Sequence, residues 1–292
     1  APGATAVPWP TAVPPRPAYP TMEPRAWVGG SARQTTLQLP EVVLALDLAA
    51  HPSAGWPALA SVVWSGDDDP DRVFVSVYNP YVHQWSHARQ VDVGASHLGR
   101  YVRTVAVVVT GSNEVVVVWG MSDPDFTDND PPSGIWTASS HDFGESWSIP
   151  QRIASDCRMV TDAAASADGI IAVQIICPLA RQVAVPAMVL RDADGRWHAP
   201  ERLAVPVWMY SEGALVISGQ GAAAQIVALT LTGQHAAPQA VLMTRPLAGG
   251  HWQVSTQTLS MPGLEHLGTR MWHVRGLTYD RCLLYTSDAA DE

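Results

Sequence analysis

The chain has 292 residues, 47% of them hydrophobic and 15% charged, with 22 Gly and 24 Pro. That composition supplies a core and many turns, and it excludes a chain that is disordered beyond its ends. The 17 basic residues, all Arg, face 27 acidic ones for a net charge of −10, which excludes the basic stripe that a nucleic-acid partner requires.

In chain order, residues 1–24 are Pro-rich and read as a flexible or polyproline linker. From residue 25 to 281 the sequence is a succession of short runs rich in Val, Ile and Thr, broken by Gly, Pro or Asp before a helix could complete three turns. Runs at 103–110 and 115–119 flank Gly111-Ser112-Asn113, and runs at 159–165 and 170–176 flank Ala167-Asp168-Gly169, both spacings predicting hairpins. Further runs at 73–78, 135–139, 187–190 and 240–244 each lead through a polar turn to a Trp. Those residues, Trp85, Trp147, Trp197 and Trp252, are separated by 62, 50 and 55 positions. Four strands repeated at that period predict an all-β fold of radially copied blades. An array of immunoglobulin-like sandwiches would need units of about 100 residues.

The most specific turn is Ser140-His141-Asp142-Phe143-Gly144-Glu145-Ser146-Trp147. Ser and Asp oxygens can tie to nearby amides, Gly admits a positive φ, and Trp seals the corner with a large ring. This Ser-x-Asp-x-Gly-x-x-Trp spacing resembles the Asp-box, or bacterial neuraminidase repeat, of the sialidase superfamily. Asp192-Ala193-Asp194-Gly195-Arg196-Trp197 retains Asp, Gly and Trp, whereas His83-Gln84-Trp85 and Gly250-His251-Trp252 keep little beyond the ring.

The resemblance implies a sialidase-type β-propeller, with six blades in the full protein and about four plus a partial fifth in this chain. It places a carbohydrate site on the face opposite the Asp-box. That face would collect the loops 65–71 and 120–134 and the residues that open the innermost strands, among them Arg103, Arg158, Glu212 and Arg275. Converging guanidinium groups can bind a sugar carboxylate bidentately. By resemblance to the enzymes, Arg103, Arg158 and Arg275 are candidates for an arginine triad. Tyr210 or Tyr279 with Glu212 would make the nucleophilic pair, and Asp67, Asp68 or Asp69 the acid. Against catalysis, the Arg-Ile-Pro segment of active sialidases has only Gly55-Trp56-Pro57 as its counterpart. The expected function is therefore recognition of glycan or extracellular protein by an exported, bacterial propeller, with an exo-α-sialidase-type hydrolase as the alternative. All-Arg usage in an Ala-rich chain, as GC-rich coding produces, is the reason for expecting a bacterial source.

No cofactor is expected. Asp123, Asp125, Asp128 and Asp130 offer oxygen ligands but lack the spacing of a calcium loop, so no metal is expected either. Trp56, Trp64, Trp119 and Trp208 are candidates for sugar stacking or for packing between blades. A hairpin centred near residue 167 sets Cys157 opposite Cys177, either as a disulfide or as two buried thiols. No apolar run is long enough to cross a membrane. Residues 282–292 resemble a translated sequencing adapter and are expected to lie outside the native fold, in a chain expected to be a fragment.

Overall fold

Short β-branched runs with two-residue alternation leave the backbone few ways to satisfy its hydrogen bonds other than antiparallel pairing with the next run. The computed structural model describes residues 43–63, 71–93, 101–122, 134–180, 183–203, 205, 207–208, 213–219, 221–232, 239–258, 278–280 and 283–285. All of them fall in one compact unit, Arg33–Glu292.

Four sheets follow one another along the chain, each a meander in which neighbours in sequence are neighbours in space. Blade 1 contains β1 (Val43–Ala50), β2 (Pro57–Val63), β3 (Arg72–Asn79) and a broken outer strand, β4 (Gln84–Trp85) and β5 (Arg89–Gln90). Blade 2 contains β6 (Tyr101–Val109), β7 (Val115–Ser122), β8 (Gly134–Ser140) and β9 (Gln151–Ala154). Blade 3 is β10 (Met159–Ala165), β11 (Ile171–Ala180), β12 (Val183–Arg191) and a split outer strand, β13 (Glu201–Arg202) and β14 (Val207–Trp208). Blade 4 is β15 (Gly213–Ser218), β16 (Gln225–Thr232), β17 (Gln239–Pro246) and β18 (Gln253–Thr258). A short hairpin pairs β19 (Thr278–Asp280) with β20 (Leu283–Tyr285), the latter in the segment that resembles an adapter.

The first strands β1, β6, β10 and β15 pack consecutively on one another, so they form the hub. Between the sheets lie three apolar seams. Val62, Val75 and Val77 of blade 1 meet Val117 and Trp119 of blade 2. Val108 and Val116 of blade 2 meet Ile171, Val173 and Ile175 of blade 3. Ala172 and Met188 meet Leu215, Ile226 and Met243 of blade 4. Sheets buried on both faces explain why β7 reads Val-Val-Val-Val-Trp rather than alternating with polar residues.

The four Trp residues occupy equivalent places. In each blade the residue after the Trp returns to the third strand. The amides of Ser86, Ser148 and His198 donate to the carbonyls of Val77, Ser139 and Leu190, each at 2.8 Å. In blade 4 Gln253 pairs with Thr244. Trp147, Trp197 and Trp252 lie half-buried against the seam that their blade shares with the preceding one. Trp56 and Trp119, considered above for sugar stacking, are buried side chains of the first seam. Trp64 and the side chain of Trp208 lie outside the described residues.

Candidate functional site

The 140–147 corner fixes which side of the propeller is which. The Ser140 hydroxyl donates to Asp142 Oδ1 at 2.8 Å and accepts the Gly144 amide at 2.9 Å. Asp142 in turn accepts the Ser146 amide at 2.9 Å, and its Oδ2 accepts the Ser146 hydroxyl. Trp147 Nε1 donates to the Gly144 carbonyl at 3.2 Å. Burial works against the Asp142 carboxylate, but the bonds from Ser146 and Ser140 outweigh it and hold its pKa below the ordinary value. Phe143 (φ 56°) and Gly144 (φ 83°) both take the left-handed conformation. Phe143 thereby turns inward onto Trp56, with ring centroids 5.2 Å apart. The bonds of Ser140, Asp142 and Trp147 are local, so these side chains stabilise the blade, while His141 and Glu145 face outward toward Glu114 and Arg89.

On the opposite side, the link from blade 2 to blade 3 is held at several points. Cys157 is joined to Cys177 by a disulfide. The next residue, Arg158, donates its amide to the Ile176 carbonyl at 3.1 Å. Its own carbonyl packs against Gly120 of β7, where a Cβ would stand 2.2 Å from the oxygen. Three constraints therefore hold the backbone of a half-buried Arg at the point where an innermost strand begins. Outward from this link, a groove of about 580 Å³ runs between the outer strands of blades 2 and 3, past Ser155, Asp156 and Arg202. Asp156 and Arg202 face one another across 3.6 Å.

Arg103 lies in β6 at a bulge between Val102 and Thr104, and its side chain is outside the described residues. The matching bulge of β10 falls at Thr161, three residues beyond Arg158, so the two arginines do not share a register position. Tyr210, Glu212 and Arg275 lie outside the described residues, as do Asp67, Asp68, Asp69 and the acidic loop with Asp123, Asp125, Asp128 and Asp130. Tyr279 lies in β19, with its side chain outside them. The counterpart of Arg-Ile-Pro, Gly55-Trp56-Pro57, forms the β1–β2 turn, with Gly55 at φ 70° and Trp56 tilted onto His51 at 5.3 Å between centroids. That turn is on the side of the Trp corners, where a buried indole cannot serve an opposite-face site. Among the described residues no group of three or more His, Cys, Asp or Glu could hold a metal ion.

Sequence reasoning passed over the hub. Asp47 Oδ2 accepts the Val107 amide at 2.7 Å, Thr104 Oγ1 accepts the Val160 amide at 2.8 Å, and Asp162 Oδ2 accepts the Leu215 amide at 2.6 Å. Each acceptor belongs to one blade's innermost strand and each amide to the next. Asp47 and Asp162 also line a cavity of about 160 Å³, with β6 residues Val107, Val108 and Val109 between them. Burial raises the pKa of Asp47. Burial, with the nearby Asp47 adding to it, pushes Asp162 up to about 7. A lone Asp inside an apolar run, as in Leu46-Asp47-Leu48, was the available signal.

Solved structures agree with this architecture. The chain superposes on a Hadza microbial sialidase with a TM-score of 0.51 at 16% identity, over 71% of this chain and 45% of that one. It superposes on the NanB sialidase of Streptococcus pneumoniae with a TM-score of 0.51 at 10% identity, over 79% of this chain and 54% of that one. A third match is the α-L-arabinanase of Penicillium chrysogenum, with a TM-score of 0.53 at 11% identity, over 80% and 70% of the two chains. The fold is that of the sialidase-type β-propellers. The chain spans about half the length of the two sialidases, and identities this low carry the propeller fold alone. No protein-family model matches the sequence, and no curated protein does. No helix among the described residues is long and apolar enough to cross a membrane.

Proposed function

We propose that this chain is part of an exported, sialidase-like propeller of the Asp-box type that recognises glycan on the face opposite its Trp corners. The observation that carries this reading is Arg158, whose backbone is fixed by a neighbouring disulfide, a hydrogen bond and a glycine contact at the opening of an innermost strand. A guanidinium on so rigid a support suits bidentate binding of a sugar carboxylate. The disulfide supports an oxidising, extracellular or cell-surface location. Arg103, Arg275, Glu212 and Tyr210 are the companions proposed for Arg158.

The second reading, an exo-α-sialidase-type hydrolase, draws on the sialidases among the structural neighbours. Gly55, which stands in the β1–β2 turn where the enzymes' first arginine has its counterpart, offers no guanidinium, and this favours binding over turnover. Titration with a terminal α-sialoside and with neutral oligosaccharides, alongside a fluorogenic sialoside, separates the two. Saturable binding without hydrolysis, weakened about tenfold or more in Arg158→Ala, is expected. Hydrolysis abolished by the same substitution would establish the enzyme, and absence of both binding and hydrolysis would remove the glycan reading.

A further inference from the structure

The strands around the hub carry almost no charge. β7 and β15 have no ionisable residue, β1 has Asp47 alone, β10 has Asp162 alone, and β6 has Tyr101 and Arg103. On β11 the one candidate, Cys177, is consumed in the disulfide. Tyr101 and Arg103 stand in the opening half of β6, whereas Val107, Val108 and Val109 line the cavity. His51, next to the cavity wall, has Nδ1 occupied by the Ser53 and Ala54 amides, at 3.2 and 2.9 Å, and its ring against Trp56. Two carboxyl groups from alternate blades therefore share about 160 Å³ with no cation from β1, β7, β10, β11 or β15.

The same two groups hold the hub together. Among the described residues, innermost strands of adjacent blades are joined by no hydrogen-bonded ladder, and single side chains bridge them instead. The middle bridge, Thr104 to Val160, cannot ionise, but those on either side of it can. Asp162 is the more constrained of the two, with Oδ2 on the Leu215 amide and Oδ1 on the amide of Ala163. Both amides favour the ionised carboxylate, whereas its burial and the like charge of Asp47 across the same cavity favour the protonated one. An ionised one of the same size demands more hydration than this half-buried position gives, and parting β10 from β15 or β6 would supply it.

We propose that the Asp47–Asp162 pair is a proton-operated clamp in the hub: with a proton on the pair, blades 1 to 4 are tied in sequence, and loss of that proton admits water and loosens the seam between blades 3 and 4. Burial that raises a carboxyl above its unfolded value makes the folded state bind more protons. Stability from Asp162 is thus fully present below about pH 4, declines as pH rises through neutrality and levels off above its folded pKa of about 7. Asp47 acts in the same direction.

The test uses the whole chain in thermal melts between pH 4 and 8.5. Wild type is expected to lose about 5 °C or more between pH 4.5 and 7.5 and then to level off. Asp162→Asn, which keeps an oxygen for the Leu215 amide but has no proton to lose, is expected to remove at least half of that loss. Asp47→Asn is expected to lower the pH at which Asp162 ionises. Should Asp162→Asn not fold, the carboxyl carbon of Asp162 in wild type is followed by NMR, together with hydrogen exchange at the Leu215 amide. Titration near neutrality, with about tenfold loss of Leu215 protection beyond the intrinsic pH trend, supports the clamp. An unchanged pH slope in Asp162→Asn, or titration of Asp162 in the ordinary carboxylate range, overturns it.

Discussion

The seam between blades 2 and 3 and the seam between blades 3 and 4 are built from similar sheets but fastened by different chemistry. The first is closed near the corners by Glu114, buried in the β6–β7 turn, whose two oxygens accept from Arg191 of β12 at 2.8 and 2.9 Å. At its other end lies the disulfide. At the corner end the two hairpin turns also approach so closely that a Cβ on Gly111 would stand 2.3 Å from the Ala167 carbonyl oxygen. The second seam has a neutral amide, Gln174, donating to Thr230 and Leu229, the Asp162–Leu215 bridge at the hub, and an ion pair from Arg245 to the exposed Glu201. A buried ion pair and a buried covalent bond are shielded from solvent, whereas a half-buried carboxyl and an ion pair with one exposed partner are shielded less. Seams of similar apolar character can therefore differ in what opens them.

The strongest way to break this contrast is Glu114→Ala. It leaves the Arg191 guanidinium in a site where its side chain is 14% exposed, and a loss of about 3–5 kcal/mol in denaturant unfolding is expected. Glu201→Ala removes a carboxylate that is 47% exposed but leaves Arg245 with a side chain 13% exposed, and a smaller loss of about 1–3 kcal/mol is expected. If the two losses are equal, the seams are not fastened differently. Next in size is the double substitution Cys157→Ser and Cys177→Ser. The bridge closes a separation of 20 residues, for which chain entropy gives about 3 kcal/mol as an upper figure, since β10 and β11 already pair inside the loop. Reduction of wild type should reproduce that loss. Gly111→Ala is expected to cost about 1–3 kcal/mol, because the obstructing atom belongs to the backbone and cannot swing away.

The smallest effect sharpens the comparison at a corner. Asp142→Ala should cost about 1–2 kcal/mol near neutral pH by orphaning the amide of Ser146. The pKa of Asp142 is depressed in the fold, so its contribution is present above the ordinary carboxylate value and is lost as pH falls through the folded one. Melts below pH 4 should thus converge for wild type and Asp142→Ala. A difference that persists undiminished into acid would mean the carboxylate charge is not what the corner uses. This slope runs opposite to that of the hub, which allows the two to be separated in one titration series.

The repeat was legible because a Trp every 50 to 62 residues is a signal too large for chance turns to mimic, and the returning amides of Ser86, Ser148 and His198 confirm its register. The corner at 140–147 was legible for a related reason, since the bonds of Ser140 and Asp142 are between residues within a few positions of one another. What joins blades was not. Glu114 and Arg191 are 77 residues apart and Asp162 and Leu215 are 53 apart, and no local pattern announces a partner at that distance. Register of the innermost strands was hidden too, because a bulge at Thr161 shifts β10 and nothing in Met-Val-Thr-Asp marks it. The sugar-facing arginines were inferred from strand openings, and the one fully described, Arg158, owes its rigidity to a cysteine whose pairing the spacing left open.

The hub bridges share a direction. In all three the acceptor, Asp47, Thr104 or Asp162, comes earlier in the chain than the amide it holds, by 60, 56 and 53 residues. As the polypeptide leaves the ribosome, a finished blade already displays the oxygen that its successor needs. Growth from the N-terminal side is therefore templated one step at a time, and a blade emerging before its predecessor has set would lack its point of attachment.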